Sequence, residues 1–293
     1  MTHFETTLPM TTTATPPKLL ISLDLDGTLL RSDKTLSAAN REAVHAAAAA
    51  GCAVMLASGR MHSATLRYAR ELAFGEDVLI ASYNGALLRT LGGTVLQHTP
   101  IPADLAVEIV DLCRERGLHL NYYLDDVLYT PVLDSWSELY HGRTGSQSVA
   151  SGDLARFAGR EPTKLLVIDH GEKIAGLKIE MQERFAGRAS LLITDDEYLE
   201  FMNPAADKGR ALEAAAAHLG VPRERCVALG DNNNDLPMLA WAGRGFAMAN
   251  ARPEVLARIS ARAPEADEDG VAQVLAQLLA QSRDESAAGR QTR

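Results

Sequence analysis

Cysteine is nearly absent. The three residues, Cys52, Cys113 and Cys226, are scattered through the 293-residue chain, and none belongs to a CxxC pair. Neither a disulfide framework nor a thiolate zinc site follows from them, and Cys52 and Cys226, in or beside apolar strand-like runs, read as buried thiols. Positive charge is also in deficit, with 29 Lys and Arg against 38 Asp and Glu and a formal net charge of −9. The concentrated basic footprint of a nucleic-acid binder is therefore missing. Net acidity does not exclude an anionic small molecule, because a few local cations and a metal can dominate the field of one pocket. Long apolar runs are lacking, which argues against a membrane span, and the opening MTHFETTLPMTTTATPPK has neither the basic start nor the apolar core of a signal peptide. A cytoplasmic location is expected.

The chain is long enough for two domains of ordinary size with a buried core. Residues 1–17, rich in Thr and Pro, read as a disordered extension in which Met10 is an alternative start. Residues 282–293, SRDESAAGRQTR, read as a flexible solvated tail. Between these ends, short apolar runs alternate with helical stretches. KLLISLD, CAVMLAS and DVLIAS read as buried parallel strands separated by helices over 37–50 and 61–73. The same alternation returns in DKGRALEAAAAHLG, RCVALGD and NDLPMLAWAG. It predicts a three-layer α/β sheet formed by residues 18–85 and 201–281. Residues 86–200 have a different texture, with a hairpin around Gly92 and Gly93, a helix near 102–116 and the aromatic strand HLNYYLDD, and read as an inserted α+β domain.

The polar signals fall at the C-terminal ends of the supposed core strands, where open α/β sheets bind ligands. Asp24 and Asp26 stand two residues apart at the first strand end, and Gly27 allows a turn that aims both at one ligand. Paired aspartates also cap helices, so this pair alone does not decide. Gly230-Asp231-Asn232-Asn233-Asn234-Asp235 follows another apolar strand. A calcium loop is the rival reading, but the segment lacks the Gly at the sixth position and the Glu at the twelfth that an EF-hand requires. A magnesium site from Asp24, Asp26 and Asp231 suits the chemistry better, since Mg²⁺ prefers a few carboxylates, waters and a phosphate. Ser58 can donate its hydroxyl to a phosphoryl oxygen beside the Gly59 amide, Asn84 holds the same position on the third strand, and Lys208 can offset the clustered carboxylates. Each also has a plain reading, as cap, turn residue and solvated lysine.

In combination these segments resemble the haloacid dehalogenase superfamily, and within it the Cof-type (subfamily IIB) phosphatases with a large α/β cap. The similarity rests on Asp24-Leu25-Asp26-Gly27-Thr28-Leu29, Ala57-Ser58-Gly59-Arg60, Asp207-Lys208-Gly209 and Gly230-Asp231 to Asp235 with Met238, in that order. Asn84-Gly85, Ala247-Met248-Ala249-Asn250-Ala251 and Glu268-Asp269-Gly270-Val271 add to it; Ala249 stands where the branch commonly has Gly. The resemblance spans about residues 18–280 and implies a Rossmann-like core with an inserted cap. It implies Asp24 as nucleophile and metal ligand, Asp26 as acid and base with its backbone carbonyl on the ion, and Asp231 as the second carboxylate ligand. Asn234 and Asp235 are expected to complete or brace the metal shell, and Ser58 and Lys208 to hold the phosphoryl oxygens. Gly27, Gly59, Asn84, Arg60 and Asn234 are the expected substrate contacts, Arg60 having a core-rim position as its alternative. In the insert, Tyr122, Tyr123, Asp125, Asp126 and His119 read either as pocket lining or as packing residues.

The implied activity is Mg²⁺-dependent hydrolysis of a small phosphorylated metabolite by a monomer or homodimer, with sugar phosphates as the first expectation. Alternatives are a phosphohexomutase on the same core, a phosphatase of a phosphorylated cofactor such as pyridoxal phosphate or a flavin or thiamin precursor, and a non-enzymatic module that binds phosphorylated ligands. Intact Asp24 and Asp26 argue against the last, because binding alone has no use for an acid–base group.

Overall fold

A computed structural model of the chain describes residues 16–73 and 75–291, and the expected N-terminal extension lies almost wholly outside them. The first half of the core runs β1 (Leu20–Asp24), α1 (Ala38–Ala49), β2 (Ala53–Ala57), α2 (His62–Glu71) and β3 (Leu79–Ser82). β1 is buried at every position, as an apolar run covered on both faces must be. Ser37 caps α1 by accepting the Asn40 N–H at 3.0 Å.

Next come β4 (Leu87–Thr90) and β5 (Val95–His98), then α3 (Ala103–Glu115), β6 (His119–Leu124), β7 (Val127–Thr130), α4 (Ser135–Thr144) and β8 (Ser148–Ala150). They are followed by β9 (Lys164–Ile168), α5 (Gly171–Arg184), β10 (Ser190–Asp195) and β11 (Tyr198–Met202). The chain closes with α6 (Lys208–Leu219), β12 (Cys226–Gly230), α7 (Leu236–Trp241), β13 (Arg244–Met248), α8 (Pro253–Arg258), β14 (Arg262–Ala263) and α9 (Gly270–Gln291).

The core sheet has the order β14-β13-β12-β1-β2-β3-β4-β5 and the second sheet the order β10-β11-β9-β6-β7-β8. From β14 to β3 neighbouring core strands are parallel, with Asp24 beside Ala57 in register. Because β12 lies on one side of β1 and β2 on the other, the order reverses there and leaves a crevice at the strand ends.

Two boundaries differ from expectation. The hairpin around Gly92 and Gly93 forms, but β4 pairs antiparallel with β3 and extends the core sheet instead of belonging to the insert. It covers what would be an open parallel edge, and Leu88 is fully buried beside Leu79 and Ala81. At the other end, the backbone of α9 stays helical to Gln291 where a flexible tail was expected. Its Ala, Glu, Arg and Gln are good helix formers that prolong an already nucleated helix.

The central strands of the second sheet, β6, β9 and β11, are buried on both faces. Leu120, Tyr122, Leu165, Val167, Leu199 and Phe201 pack against α3 and α5, while Tyr123, Leu166, Ile168, Tyr198 and Met202 face the other way and join Met61, Tyr83 and Leu87 of the core. The inserted cap thus closes over the core strand ends through its own apolar underside.

Candidate active site

The chain turns sharply after Asp24. Leu29 returns its N–H to the Asp24 carbonyl at 3.1 Å, and Leu30 its N–H to Leu25 at 2.8 Å. Gly27 is required twice over: its φ is +77°, and a Cβ there would lie 2.5 Å from an Asp231 carboxylate oxygen. The turn and the β12 loop therefore close on each other, and Thr28 donates its hydroxyl to Asp231 at 3.1 Å. Asn250, whose segment stood out in the sequence without a role, fastens the turn from outside by donating to the Gly27 carbonyl at 2.8 Å.

Lys208 begins α6, whose cap is Asp207, and is fully enclosed. Its ammonium donates to Asp24 Oδ1 and Asp235 Oδ1, each at 2.5 Å. The other Asp235 oxygen accepts the backbone N–H groups of Asp231 and Asn232 at 3.0 and 2.9 Å. Carboxylate oxygens of Asp24, Asp231 and Asp235 all lie within 4.8 Å of one another. Asp235 already has both oxygens engaged, so it suits bracing better than ligation. Asp24 and Asp231 are the freer pair, and an all-oxygen carboxylate set fits a hard divalent cation. Burial and the Asp235 charge push the Asp24 carboxyl well above its ordinary range against the pull of Lys208. The same two causes raise Asp231 to about 6. Burial opposes the charge of Lys208, but Asp235 and Asp24 outweigh it and raise its pKa. A pocket that raises two carboxyls while holding its one lysine charged carries surplus negative charge, the condition a bound cation relieves.

Asp26 is arranged differently. Its side chain lies outside that cluster and receives both Arg60 Nε and an Arg60 terminal nitrogen at 2.6 Å, with Lys34 at 3.1 Å. Burial works against its charge, yet Arg60 and Lys34 hold it at about 2. Arg60, expected at the phosphate or on the core rim, is thus the partner of the acid–base candidate, with its guanidinium over the Tyr68 ring. Nothing in the sequence signalled Lys34, which reaches Asp26 from a left-handed turn position.

Ser58 is buried at the end of β2 and accepts the Arg60 N–H on its hydroxyl at 3.2 Å. Asn84 lies beside it, giving its N–H to the Ser58 carbonyl at 2.9 Å. The Asn84 side chain is committed to protein: its oxygen accepts from Asn234 at 2.8 Å and its amide approaches Glu200 of the cap at 3.5 Å. Gly59 is small for that reason, since a Cβ there would lie 2.8 Å from the Asn84 side-chain oxygen. Of the cap residues singled out in the sequence, Asp126 accepts from the His62 and Ser63 N–H groups and from the Tyr83 hydroxyl, joining cap to core. Asp125 pairs with Arg160 at 2.6 Å, His119 meets Asp134, Asn121 and Thr130, and Tyr122 stacks on Phe157. These are packing and fastening contacts. Glu200 went unnoticed, although a lone carboxylate inside the apolar run YLEFM was a legible signal.

A family model described as haloacid dehalogenase-like hydrolase matches residues 21–275. The chain belongs to the haloacid dehalogenase-like hydrolases. It is 31% identical over 270 residues to the putative phosphatase YxeH of Bacillus subtilis, covering 89% of this chain and 98% of that protein. It is 28% identical over 267 residues to the 5-amino-6-(5-phospho-D-ribitylamino)uracil phosphatase YitU of the same organism, covering 87% and 96%. An HMP-PP phosphatase of Cronobacter sakazakii is 28% identical over 238 residues, covering 81% and 86%. Among solved structures, TM0651 of Thermotoga maritima superposes with a TM-score of 0.82 at 30% identity, covering 88% and 97%. Fold and cap are those of the Cof-type, subfamily IIB, haloacid dehalogenase-like phosphatases. The chain is an enzyme of that hydrolase superfamily, and no helix among its described residues is long and apolar enough to cross a membrane.

Proposed function

We propose that this haloacid dehalogenase-like protein is a Mg²⁺-dependent phosphatase acting through an aspartyl-phosphate on Asp24, with a phosphorylated cofactor precursor as its substrate. Asp24 Oδ attacks phosphorus, the bond to the leaving oxygen breaks, and Asp26 supplies the proton that oxygen needs. In the second half Asp26 removes a proton from the attacking water and the Asp24–phosphorus bond breaks. Lys208 and the Ser58 hydroxyl hold phosphoryl oxygens as charge shifts. Asp24 and Asp231, with Asp235 behind them, would hold Mg²⁺, which would supply charge stabilisation for the approach of a carboxylate to a phosphate dianion. Asp26 must leave Arg60 and Lys34 to take up a proton, and the substrate dianion competes for the same arginine.

The observation that carries the substrate reading is a cleft of about 390 Å³ between α2 and the cap. It opens beside Arg60 and is lined by Met61, Arg67, Asp126, Leu128 and Gln147. Its volume falls in the ordinary range for small-molecule sites, roughly 300–1,000 Å³, and its lining mixes apolar side chains with charged and polar ones, so it can take a polar leaving group as large as a cofactor precursor. The names of the similar proteins YitU and HMP-PP phosphatase support the same class over the simple sugar phosphates expected first. The test is kcat/KM in Mg²⁺ for 5-amino-6-(5-phospho-D-ribitylamino)uracil, HMP-PP, pyridoxal phosphate and a set of hexose and pentose phosphates. A cofactor phosphate should lead the best sugar phosphate by about tenfold or more; a sugar phosphate at the head of the ranking overturns the proposal.

A further inference from the structure

The cap buries an ion pair that the chemistry above does not use. Lys164 on β9 and Glu200 on β11 are 2% and 6% exposed, and the ammonium lies 2.8 Å from Glu200 Oε1. Burying such a pair costs about as much desolvation as its attraction returns, so it is weak grounds for stability and calls for another account. Its surroundings supply one. Thr194 also donates to Glu200 Oε1, at 3.3 Å, while Glu200 Oε2 faces Asn84 Nδ2 at 3.5 Å, the outer limit of a hydrogen bond. Asn84 Oδ1 accepts from Asn234 Nδ2 at 2.8 Å, and Asn234 precedes Asp235, the brace of Lys208.

Donor and acceptor chemistry gives this chain a direction. Glu200 turns only acceptor oxygens on its neighbours, so Asn84 must present its NH₂ to the cap and its oxygen to the core. Asn234 must then spend its NH₂ on Asn84. Its own oxygen is left as an acceptor, and that oxygen is buried without a donor among the described residues. The backbone around Asn84 is held for this purpose: Tyr83, Asn84 and Gly85 have φ of 52°, 54° and 92° in succession. A left-handed backbone is unfavourable for Tyr, less so for Asn, and persists where the surroundings require it. Here the Tyr83 and Asn84 N–H groups are tied to Arg60 and Ser58, each at 2.9 Å.

We infer that Glu200, kept in place by Lys164, is a positioning residue which acts through Asn84 to fix the Asn234 amide, so that Asn234 offers its oxygen to the cation of the site or to that cation's waters. The inference rests on the metal-dependent phosphatase reading and deepens it: a cap residue sets the orientation of an outer metal partner in the core.

The test replaces the pair with apolar side chains, Lys164→Met with Glu200→Leu, an exchange that is commonly neutral or stabilising for a buried pair. Mn²⁺ affinity, read by electron paramagnetic resonance without substrate, should fall about tenfold to a hundredfold, the usual effect of losing an outer-shell partner. Turnover should fall by a similar factor for p-nitrophenyl phosphate, a hexose phosphate and a ribityl phosphate alike, with KM little changed. Asn84→Gly, which keeps the left-handed backbone and removes the side chain, should reproduce both losses, and the triple variant should add nothing further. Unchanged Mn²⁺ affinity in either folded variant overturns the inference. So does a loss that depends strongly on the leaving group, which would make the pair a substrate contact. Because Mn²⁺ binding is read without turnover, a wild-type protein inactive on every phosphate would sink the phosphatase reading and leave this measurement standing.

Discussion

The core and the cap each bury a lysine, and the two are balanced in opposite ways. Lys208 in the core sits between Asp24 and Asp235 with Asp231 close by, so one ammonium serves three carboxylates. Lys164 in the cap has Glu200 as its one carboxylate partner among the described residues and lies over the Tyr123 ring. The core arrangement keeps surplus negative charge, visible as the raised pKa of Asp24 and of Asp231, and that surplus recruits a cation and serves a reaction. The cap pair is neutral as a unit, so its effect is through orientation. Two buried lysines of equal enclosure therefore have different work, and the local count of opposite charges, rather than burial, separates them.

The sharpest way to break this contrast is at the nucleophile. Asp24→Asn should lower kcat by at least about 10⁴-fold, as removal of a covalent nucleophile does elsewhere. In the wild-type enzyme, mass spectrometry after an acid quench during turnover should find phosphate on Asp24. Phosphate on any other residue would move the reaction away from the charge-surplus pocket.

Next in size are the lysines themselves. Lys208→Met should cost about 10²- to 10³-fold in kcat, the scale of a lost charge-stabilising donor. Mg²⁺ should preserve its fold by taking over some of the charge compensation. Lys164→Met should instead show itself in stability, by about 3 kcal/mol in denaturant unfolding, because Glu200 is left buried and unpaired. Adding Glu200→Leu should restore that stability without restoring turnover. The contrast fails if Lys164→Met unfolds no more easily than the wild type, or if Glu200→Leu does not rescue it.

Much of the core site was legible because parallel strands announce themselves as apolar runs and stop abruptly at polar residues. Asp24, Ser58, Asn84 and Asp231 each follow such a run, and a topology that gathers strand ends gathers them too. Side-chain commitments were less legible. Arg60 follows the β2 strand end at the approach to α2, a position from which it can serve a phosphate or a carboxylate equally, and its choice of Asp26 depends on a turn 34 residues away. Asn84 was read as a substrate contact because its position suits one, but its amide is taken by Asn234 and Glu200. The Leu87–His98 hairpin has the same local pattern whether it begins an insert or ends a sheet, and only the open edge of β3 decides between them.

The smallest predicted effect is a pH dependence that belongs to the core alone. In ion-free protein, burial and Asp235 hold Asp231 at about 6, while the unfolded chain titrates near the ordinary aspartate value of about 4. Between these values the folded state keeps a proton that the unfolded state has released. Stability is therefore fullest below about pH 4 and is lost as pH rises through about 6. The loss is on the order of 2 kcal/mol for Asp231, a few degrees in Tm for a protein of this size, and Asp24, also raised, acts in the same direction. Asp26 has the opposite sign: held at about 2, it stabilises above the ordinary aspartate value and loses that contribution only as pH falls through about 2, outside this window. Mg²⁺ binds the ionised carboxylates, so the rise in Tm that it produces should grow over the same interval in which the EDTA-treated protein weakens. Thermal unfolding from pH 4.5 to 7.5, with EDTA and with Mg²⁺, reads both trends, and Asp231→Asn should flatten part of each, leaving the share that belongs to Asp24. An EDTA-treated wild type whose Tm climbs steadily across that range, unchanged by Asp231→Asn, would mean that the carboxylates are already compensated within the protein and that the core pocket is as balanced as the pair in the cap.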